Sequence, residues 1–177
     1  LKDTDQMEFY IGEWYQQYSN QIFRYILVMV GERQQARDLM QETFINAFKY
    51  IKDFRGEASP KTWLYRIARN VTIDYQRKKN PIYYLVDSFS PIKSHQSTPE
   101  EFLELGEDIQ QLYIALSKLK KDYREVIILR KIKEFSIKET SIILDWKESR
   151  VKTMLHRGLL ELREQMVKEG YTSETIS

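Results

Sequence analysis

The chain has 177 residues, enough for one domain or two small ones. It contains no cysteine, which excludes a disulfide frame and any thiolate zinc site, zinc fingers included. The net charge is only +2, yet residues 61–79 hold six Lys and Arg against one acid, and residues 109–168 hold fourteen against eight, while residues 80–108 hold one against six. Two basic blocks around an acidic one imply two contacts with a polyanion.

The start of the chain is acidic (Asp3, Asp5, Glu8) and lacks the basic-then-apolar order of a signal peptide. The most apolar run, residues 22–30, is interrupted by Arg24 and is too short to span a bilayer. A cytoplasmic protein is expected. Residues 5–30 have a helical pattern, with Phe9, Tyr10, Trp14, Tyr18, Ile22, Tyr25, Ile26 and Met29 at intervals of three and four, a break near Ser19-Asn20 being possible. A packed core is the expected place for these aromatics. Gly31 fits the helix end.

A second helix is expected over 32–52, burying Ala36, Met40, Phe44, Ala47, Phe48 and Ile51. Asp38, Gln41, Glu42 and Lys49 share its other side, with Ile45 among them. One exposed apolar residue is ordinary; one ringed by polar groups also fits a protein contact, and the residues alone leave both readings open. Residues 53–60, DFRGEASP, form a loop in which Gly56 permits an unusual backbone angle. Ser59 and Pro60 are a good N-cap and first helical residue.

The third helix is expected over 60–79 and buries Leu64, Ile67, Ala68, Val71 and Tyr75. Arg66, Arg69, Asn70 and Arg77 share its other side, and Lys78 and Lys79 end it, where cations suit the helix dipole. A basic helix beside a polar loop, with Trp63, Tyr65 and Tyr75 at hand, matches the needs of single-stranded nucleic acid. The plainer reading puts Trp63 and Tyr75 in the core and leaves the basic face to touch nucleic acid.

Residues 80–99 hold Pro81, Pro91 and Pro99 with several serines and are expected to be a linker, though Ile82, Tyr83, Tyr84, Leu85, Val86 and Phe89 make it apolar for a tether. Thr98-Pro99-Glu100-Glu101 is a helix start. Ile109, Leu112, Tyr113, Leu116 and Leu119 make a core stripe, and Tyr123, Val126, Ile127 and Arg130 continue in a further helix.

Ser136 and Glu139 then form an S-x-x-E capping box. Ile137, Thr140, Ile143 and Leu144 repeat at helical spacing, the pattern breaks at Asp145-Trp146-Lys147, and a longer helix follows. At about 100° per residue, Val151, Leu155, Gly158, Leu159 and Leu162 fall on one side of it. Ser149, Arg150, Lys152, Thr153, His156 and Arg157 fall on the other. That is the layout of a helix-turn-helix, whose second helix enters the major groove. Arg and Lys attract phosphate and can read guanine edges, while Ser, Thr and His make shorter hydrogen bonds. Charged helix faces also commonly meet only water. The tail from about Gly170 is polar and expected to fray. No strand is expected, so the fold class is all-α: two small helical domains, 1–80 and 100–170, joined by a linker at 81–99 and followed by a tail at 171–177.

Three stretches, in this order, resemble a known family. DLMQETFINAF at 38–48 is similar to region 2.2 of the extracytoplasmic-function (group 4) sigma factors of the bacterial sigma-70 family. FRGEASPKTWLYRIARNVTIDYQRK at 54–78 resembles regions 2.3 and 2.4, and LSKLKKDYREVIILRKIKEFSIKETSIILDWKESRVKTMLHRGLLELR at 116–163 resembles region 4.

The resemblance implies that Asp38, Leu39, Gln41, Glu42 and Ile45 meet the clamp helices of core RNA polymerase. It implies that Arg55, Gly56, Glu57, Ala58, Ser59 and Lys61 form a pocket for a flipped base of the promoter −10 element. Arg66, Arg69, Asn70, Arg77 and Lys78 would line the path of melting DNA. Ser149, Arg150, Lys152, Thr153, His156 and Arg157 would read the −35 element. A melting mechanism driven by binding fits the ease with which pyrimidine–purine steps unstack. The resemblance implies no catalysis, no cofactor and no metal, and it implies restraint by an anti-sigma factor. The family usually has Gly where Asp145 stands, a small residue and an Arg near positions 150 and 154, where Arg150 and Met154 stand, and Pro where Lys120 stands. Asp can adopt the left-handed angles such a turn requires. Nothing resembles the N-terminal region 1.1 of housekeeping sigma factors, so self-inhibition by such a domain is not expected.

Two other readings compete. A stand-alone helix-turn-helix regulator explains residues 109–168 but leaves DLMQETF and the basic helix at 60–79 unaccounted for. A di-iron enzyme needs Glu-x-x-His pairs on facing helices; His95 and His156 have none, and no phosphate-binding glycine loop or nucleophile–base motif is present.

Overall fold

The computed structural model of the chain describes residues 2–79 and 107–170, with side chains from 4 to 79 and from 111 to 170. The expected linker at 81–99, the helix start at 98–101 and the tail at 171–177 lie outside the described residues. Among the described residues every regular element is helical. They divide into two compact units, one built on the chain to Lys79 and the other on most of the chain from Asn80 onward.

The first unit is a three-helix bundle of α1 (Lys2–Val30), α2 (Arg33–Tyr50) and α3 (Pro60–Lys79), each packed against the other two. Its core takes Ile22, Tyr25, Ile26 and Met29 from α1, Ala36, Met40, Phe44 and Ala47 from α2, and Leu64, Tyr65, Ala68 and Val71 from α3. The ring of Tyr25 lies 5.2 Å from that of Tyr65, and the ring of Tyr15 lies edge-on 4.9 Å from that of Phe44. Gly31 closes α1 at φ +73°, where a side chain would be strained. The side-chain amide of Gln76 on α3 donates to the Met29 carbonyl at 2.9 Å, satisfying one of the carbonyls left open at that helix end.

Three expectations for this unit are corrected. α1 runs unbroken through Ser19 and Asn20. Its first half is not core: Phe9 is 64 % exposed and Tyr10 45 %. At 29 residues α1 is about 44 Å long, against about 27 Å for the 18 residues of α2, so its N-terminal turns outrun the bundle. Phe48, expected on the buried side of α2, is 42 % exposed, since it stands about 100° round the helix from the fully buried Ala47, at the edge of the apolar face.

The second unit contains α4 (Glu107–Ser117), α5 (Lys121–Ile127), the first part of α6 (Ile137–Leu144) and α7 (Glu148–Lys168). α5 and α4 both pack on α7. Tyr113, Leu116, Leu119, Val126, Ile127, Val151 and Leu162 are buried there. Three charged side chains of α5, Lys121, Arg124 and Glu125, are buried as well, and Arg124 donates from Nη2 to the Leu119 carbonyl at 3.3 Å. α5 leaves through a single wide turn, Ile128–Ile132, in which the Lys133 N–H reaches back five residues to the Ile128 carbonyl at 2.9 Å. Glu134 then turns the chain at φ +59°, and Arg130 Nη1 donates to the Phe135 carbonyl.

Candidate nucleic-acid interface

The helix-turn-helix is assembled by local rules. The Ser136 N–H donates to Glu139 Oε2 at 2.7 Å, and the Glu139 N–H donates to Ser136 Oγ at 3.1 Å. The expected capping box therefore opens α6. α6 ends on Asp145, which sits at φ +54° while the Trp146 N–H donates to the Ser141 carbonyl at 3.0 Å. This left-handed cap is usually glycine, and a short acidic side chain tolerates it. α7 then begins at Glu148, as the periodicity implies.

On α7 the two faces separate as expected. Val151, Gly158 and Leu162 are buried, Leu155 and Leu159 half-buried, and Ser149, Arg150, Lys152, Thr153, His156 and Arg157 all exposed. Gly158 has a specific reason to lack a side chain. A Cβ there would stand 3.0 Å from Tyr123 Cβ and 3.1 Å from Ile127 Cδ1, so α5 and α7 touch at that point. Two of the six polar residues are held by neighbours. Thr153 Oγ1 donates to the Ser149 carbonyl at 3.0 Å, and Arg150 pairs with Asp122 of α5 while stacking on Trp146. The sequence did not mark Asp122, which lies 28 positions before Arg150 and meets it only on folding.

In the first unit, Ser59 caps α3: the Thr62 N–H donates to Ser59 Oγ at 3.1 Å. The loop before it exposes Arg55, Gly56, Glu57 and Ser59, with Ala58 and Lys61 half-buried, and Gly56 takes φ +72°. An aromatic cluster that the sequence reading missed supports this loop. The ring of Phe54 at its start lies 5.1 Å from that of Trp63 just beyond it, and Trp14 of α1 meets both edge-on at 5.6 and 6.1 Å. Trp63 and Tyr75 are half-buried rather than fully in the core, and Ile73, absent from the expected stripe, is buried. Arg66, Asn70, Arg77 and Lys78 are exposed along α3, while Arg69 is half-buried. Hydrogen bonding to the Tyr75 side chain raises the pKa of Lys79 above its ordinary value, so the end of the helix stays cationic.

On α2, Asp38, Gln41, Glu42 and Ile45 form one exposed stripe, Ile45 being 55 % exposed. Asp38 accepts a hydrogen bond from Gln34 Nε2 at 3.0 Å. Leu39 does not share this face. At 2 % exposure it is in the core, turned about 100° round the helix from Asp38 and about 160° from Gln41. The structure therefore places Leu39, expected among the polymerase-binding residues, beneath the stripe rather than on it. Phe48 extends the stripe by another turn.

Among the described residues no group of three or more His, Cys, Asp and Glu is placed to hold a metal ion, and no helix is long and apolar enough to cross a membrane.

Residues 14–82 match the family model of sigma-70 region 2, and residues 109–162 match that of sigma-70 region 4. The chain is 38 % identical over 157 residues to the ECF RNA polymerase sigma factor SigX of Bacillus subtilis, covering 86 % of this chain and 81 % of that protein. It belongs to the sigma-70 family, in the extracytoplasmic-function (ECF) group. The ECF sigma factor SigW of the same organism is 39 % identical over 161 residues, covering 84 % of each chain, and the sigma factor YlaC is 34 % identical over 172 residues, covering 95 % and 96 %. The fold is also that of the sigma factor RpoE of Bartonella quintana, solved with the anti-sigma factor NepR (TM-score 0.69, 22 % identity, 94 % and 98 % covered). CnrH, solved with the cytosolic domain of CnrY, is similar to the same degree (TM-score 0.69, 20 % identity, 95 % and 96 % covered). The chain is thus an alternative RNA polymerase sigma factor, a DNA-binding initiation factor rather than a stand-alone regulator.

Proposed function

We infer that this sigma factor joins core RNA polymerase through the α2 stripe Asp38, Gln41, Glu42 and Ile45, and reads promoters with two separate surfaces. The exposed polar face of α7, set on a capped helix-turn-helix, carries the reading: Ser149, Arg150, Lys152, Thr153, His156 and Arg157 contact the −35 element. The loop 55–61 captures a base flipped from the −10 element, and Arg66, Arg69, Asn70, Arg77 and Lys78 follow the opened strand. Such a site needs cations along a backbone and a firmly held pocket, and the Phe54–Trp63–Trp14 cluster supplies the firmness. Residues 1–80 and 100–170 act as the two binding domains, with 81–99 as the tether between them.

Promoter opening is then driven by binding energy. The protein performs no reaction of its own, uses no cofactor, works in the cytoplasm and is restrained by an anti-sigma protein, the last supported by the complex of the fold relative RpoE with the anti-sigma factor NepR.

Transcription in vitro tests this. Purified protein is added to Bacillus subtilis core polymerase on a library of promoter fragments, and start sites that depend on the protein are scored. Discrete starts sharing two upstream elements are expected. No new starts, together with tight specific duplex binding by the protein alone, would overturn the reading.

A further inference from the structure

Arg150 is the third residue of α7, in the turn that a helix-turn-helix points at base edges. Its guanidinium carbon lies 4.1 Å from the centre of the Trp146 ring, and its Nη2 lies 2.9 Å from Asp122 Oδ2. Asp122 is on α5 and Trp146 is in the turn before α7, so two different elements hold one side chain. The Arg150 side chain is still 51 % exposed.

Stability alone gives little reason for this arrangement. An exposed ion pair contributes little to folding. A cation in the first turn also opposes the positive end of the helix dipole. A free arginine, moreover, must give up rotamer freedom when it binds a base, and one already held between an aromatic face and a carboxylate has lost most of that freedom beforehand. Asp122 uses one of the five guanidinium N–H donors, and four remain, enough for a bidentate contact with guanine O6 and N7.

We propose that Asp122 and Trp146 are positioning residues that fix Arg150 for contact with a guanine edge in the promoter −35 element. This rests on the reading of α7 as the −35 helix. Neither positioning residue needs to touch DNA. Asp122 sets the direction of the guanidinium fork, and Trp146 sets its plane.

The test is run-off transcription with Bacillus subtilis core polymerase and the full chain, on a library with randomised −35 elements. Wild type is compared with Arg150→Ala, Asp122→Ala, Asp122→Glu, Trp146→Leu, Arg157→Ala and the double variant Asp122→Ala/Arg150→Ala. Thermal melting checks that each is folded. Arg150→Ala should lose about fivefold or more of the preference for guanine at one −35 base pair. Asp122→Ala and Trp146→Leu should relax preference at that same base pair, and Asp122→Glu should recover part of it. The double variant should be no worse than Arg150→Ala, since residues acting through one contact are not additive.

If Arg150→Ala relaxes a base pair and Asp122→Ala leaves it unchanged or sharpens it, the positioning role is wrong; sharpening would mean that Asp122 holds Arg150 back. If Arg157→Ala alters −35 preference and Arg150→Ala does not, the inference fails and the −35 reading of α7 survives. If neither changes any −35 position, the reading of α7 fails too.

Discussion

Gly158→Ala isolates the contact that seats α7 on α5. A methyl group at Gly158 would meet Tyr123 Cβ at 3.0 Å, Ile127 Cδ1 at 3.1 Å and Tyr123 Cγ at 3.3 Å. Carbon atoms prefer separations of about 3.5–4.0 Å. Ile127 Cδ1 is the end of a side chain and can swing aside. Tyr123 Cβ is bonded to the α5 backbone, so relief there requires α5 and α7 to separate. Overpacking of this kind costs about 1–3 kcal/mol. Alanine recovers about 1 kcal/mol over glycine in helix propensity, which leaves a net loss of up to about 2 kcal/mol. Gly12→Ala on α1 provides the control, since nothing lies within 4 Å of a Cβ there and propensity acts alone. Urea unfolding of both variants should give opposite signs, with Gly12→Ala more stable than wild type by about 0.5–1 kcal/mol. A Gly158→Ala protein as stable as the Gly12→Ala protein would refute the claim that α5 and α7 touch there.

Ser59→Ala removes the cap of α3 and should cost about 1 kcal/mol, read as a lower thermal midpoint, while Ser59→Gly should cost only a few tenths. Asp145→Gly should stabilise the turn, because the left-handed angle costs an L-residue about 1–2 kcal/mol and glycine returns only part of that in chain entropy; Asp145→Val should lower the midpoint of urea unfolding, and a more stable valine variant would contradict the turn. Replacing Asp38 and Glu42 together with alanine should weaken capture of core polymerase severalfold in a pull-down without changing helical content, since both side chains are exposed. Unchanged capture would move the polymerase contact off α2.

Signals that act within one turn of chain were legible in the sequence. Ser59-Pro60 and Lys78-Lys79 bounded α3 at both ends, the Ser136–Glu139 box opened α6, and the apolar seam of α7 separated its two faces. What escaped notice depends on residues far apart in the chain. Trp14 meets Trp63 across 49 positions, and Arg150 meets Asp122 across 28. Periodicity marked Phe9 and Tyr10 as core, since a repeat shows which side of a helix is apolar and not how far its neighbours extend. The burial of Arg124 and Glu125 was hidden for a related reason: a charged residue is assigned to the surface by default, and only tertiary packing reverses that.

The placement of charge explains why such a protein should depend on polymerase for specificity. The exposed face of α7 offers Arg150, Lys152 and Arg157 as cations, and Arg150 is already paired with Asp122. Sequence-independent affinity for duplex DNA scales with the number of phosphates neutralised, because each releases counterions. So few cations give a weak grip, and the acidic residues of α2 and of the start of α1 add repulsion. Weak binding at each surface suits two readers delivered together, because the second contact then forms at the effective concentration set by the first. A tightly binding α7 would hold the factor on −35-like sequences throughout a genome without polymerase. On the proposed reading, the three cations on the exposed face of α7 act once polymerase has brought both surfaces to one promoter, where the second contact no longer depends on free concentration.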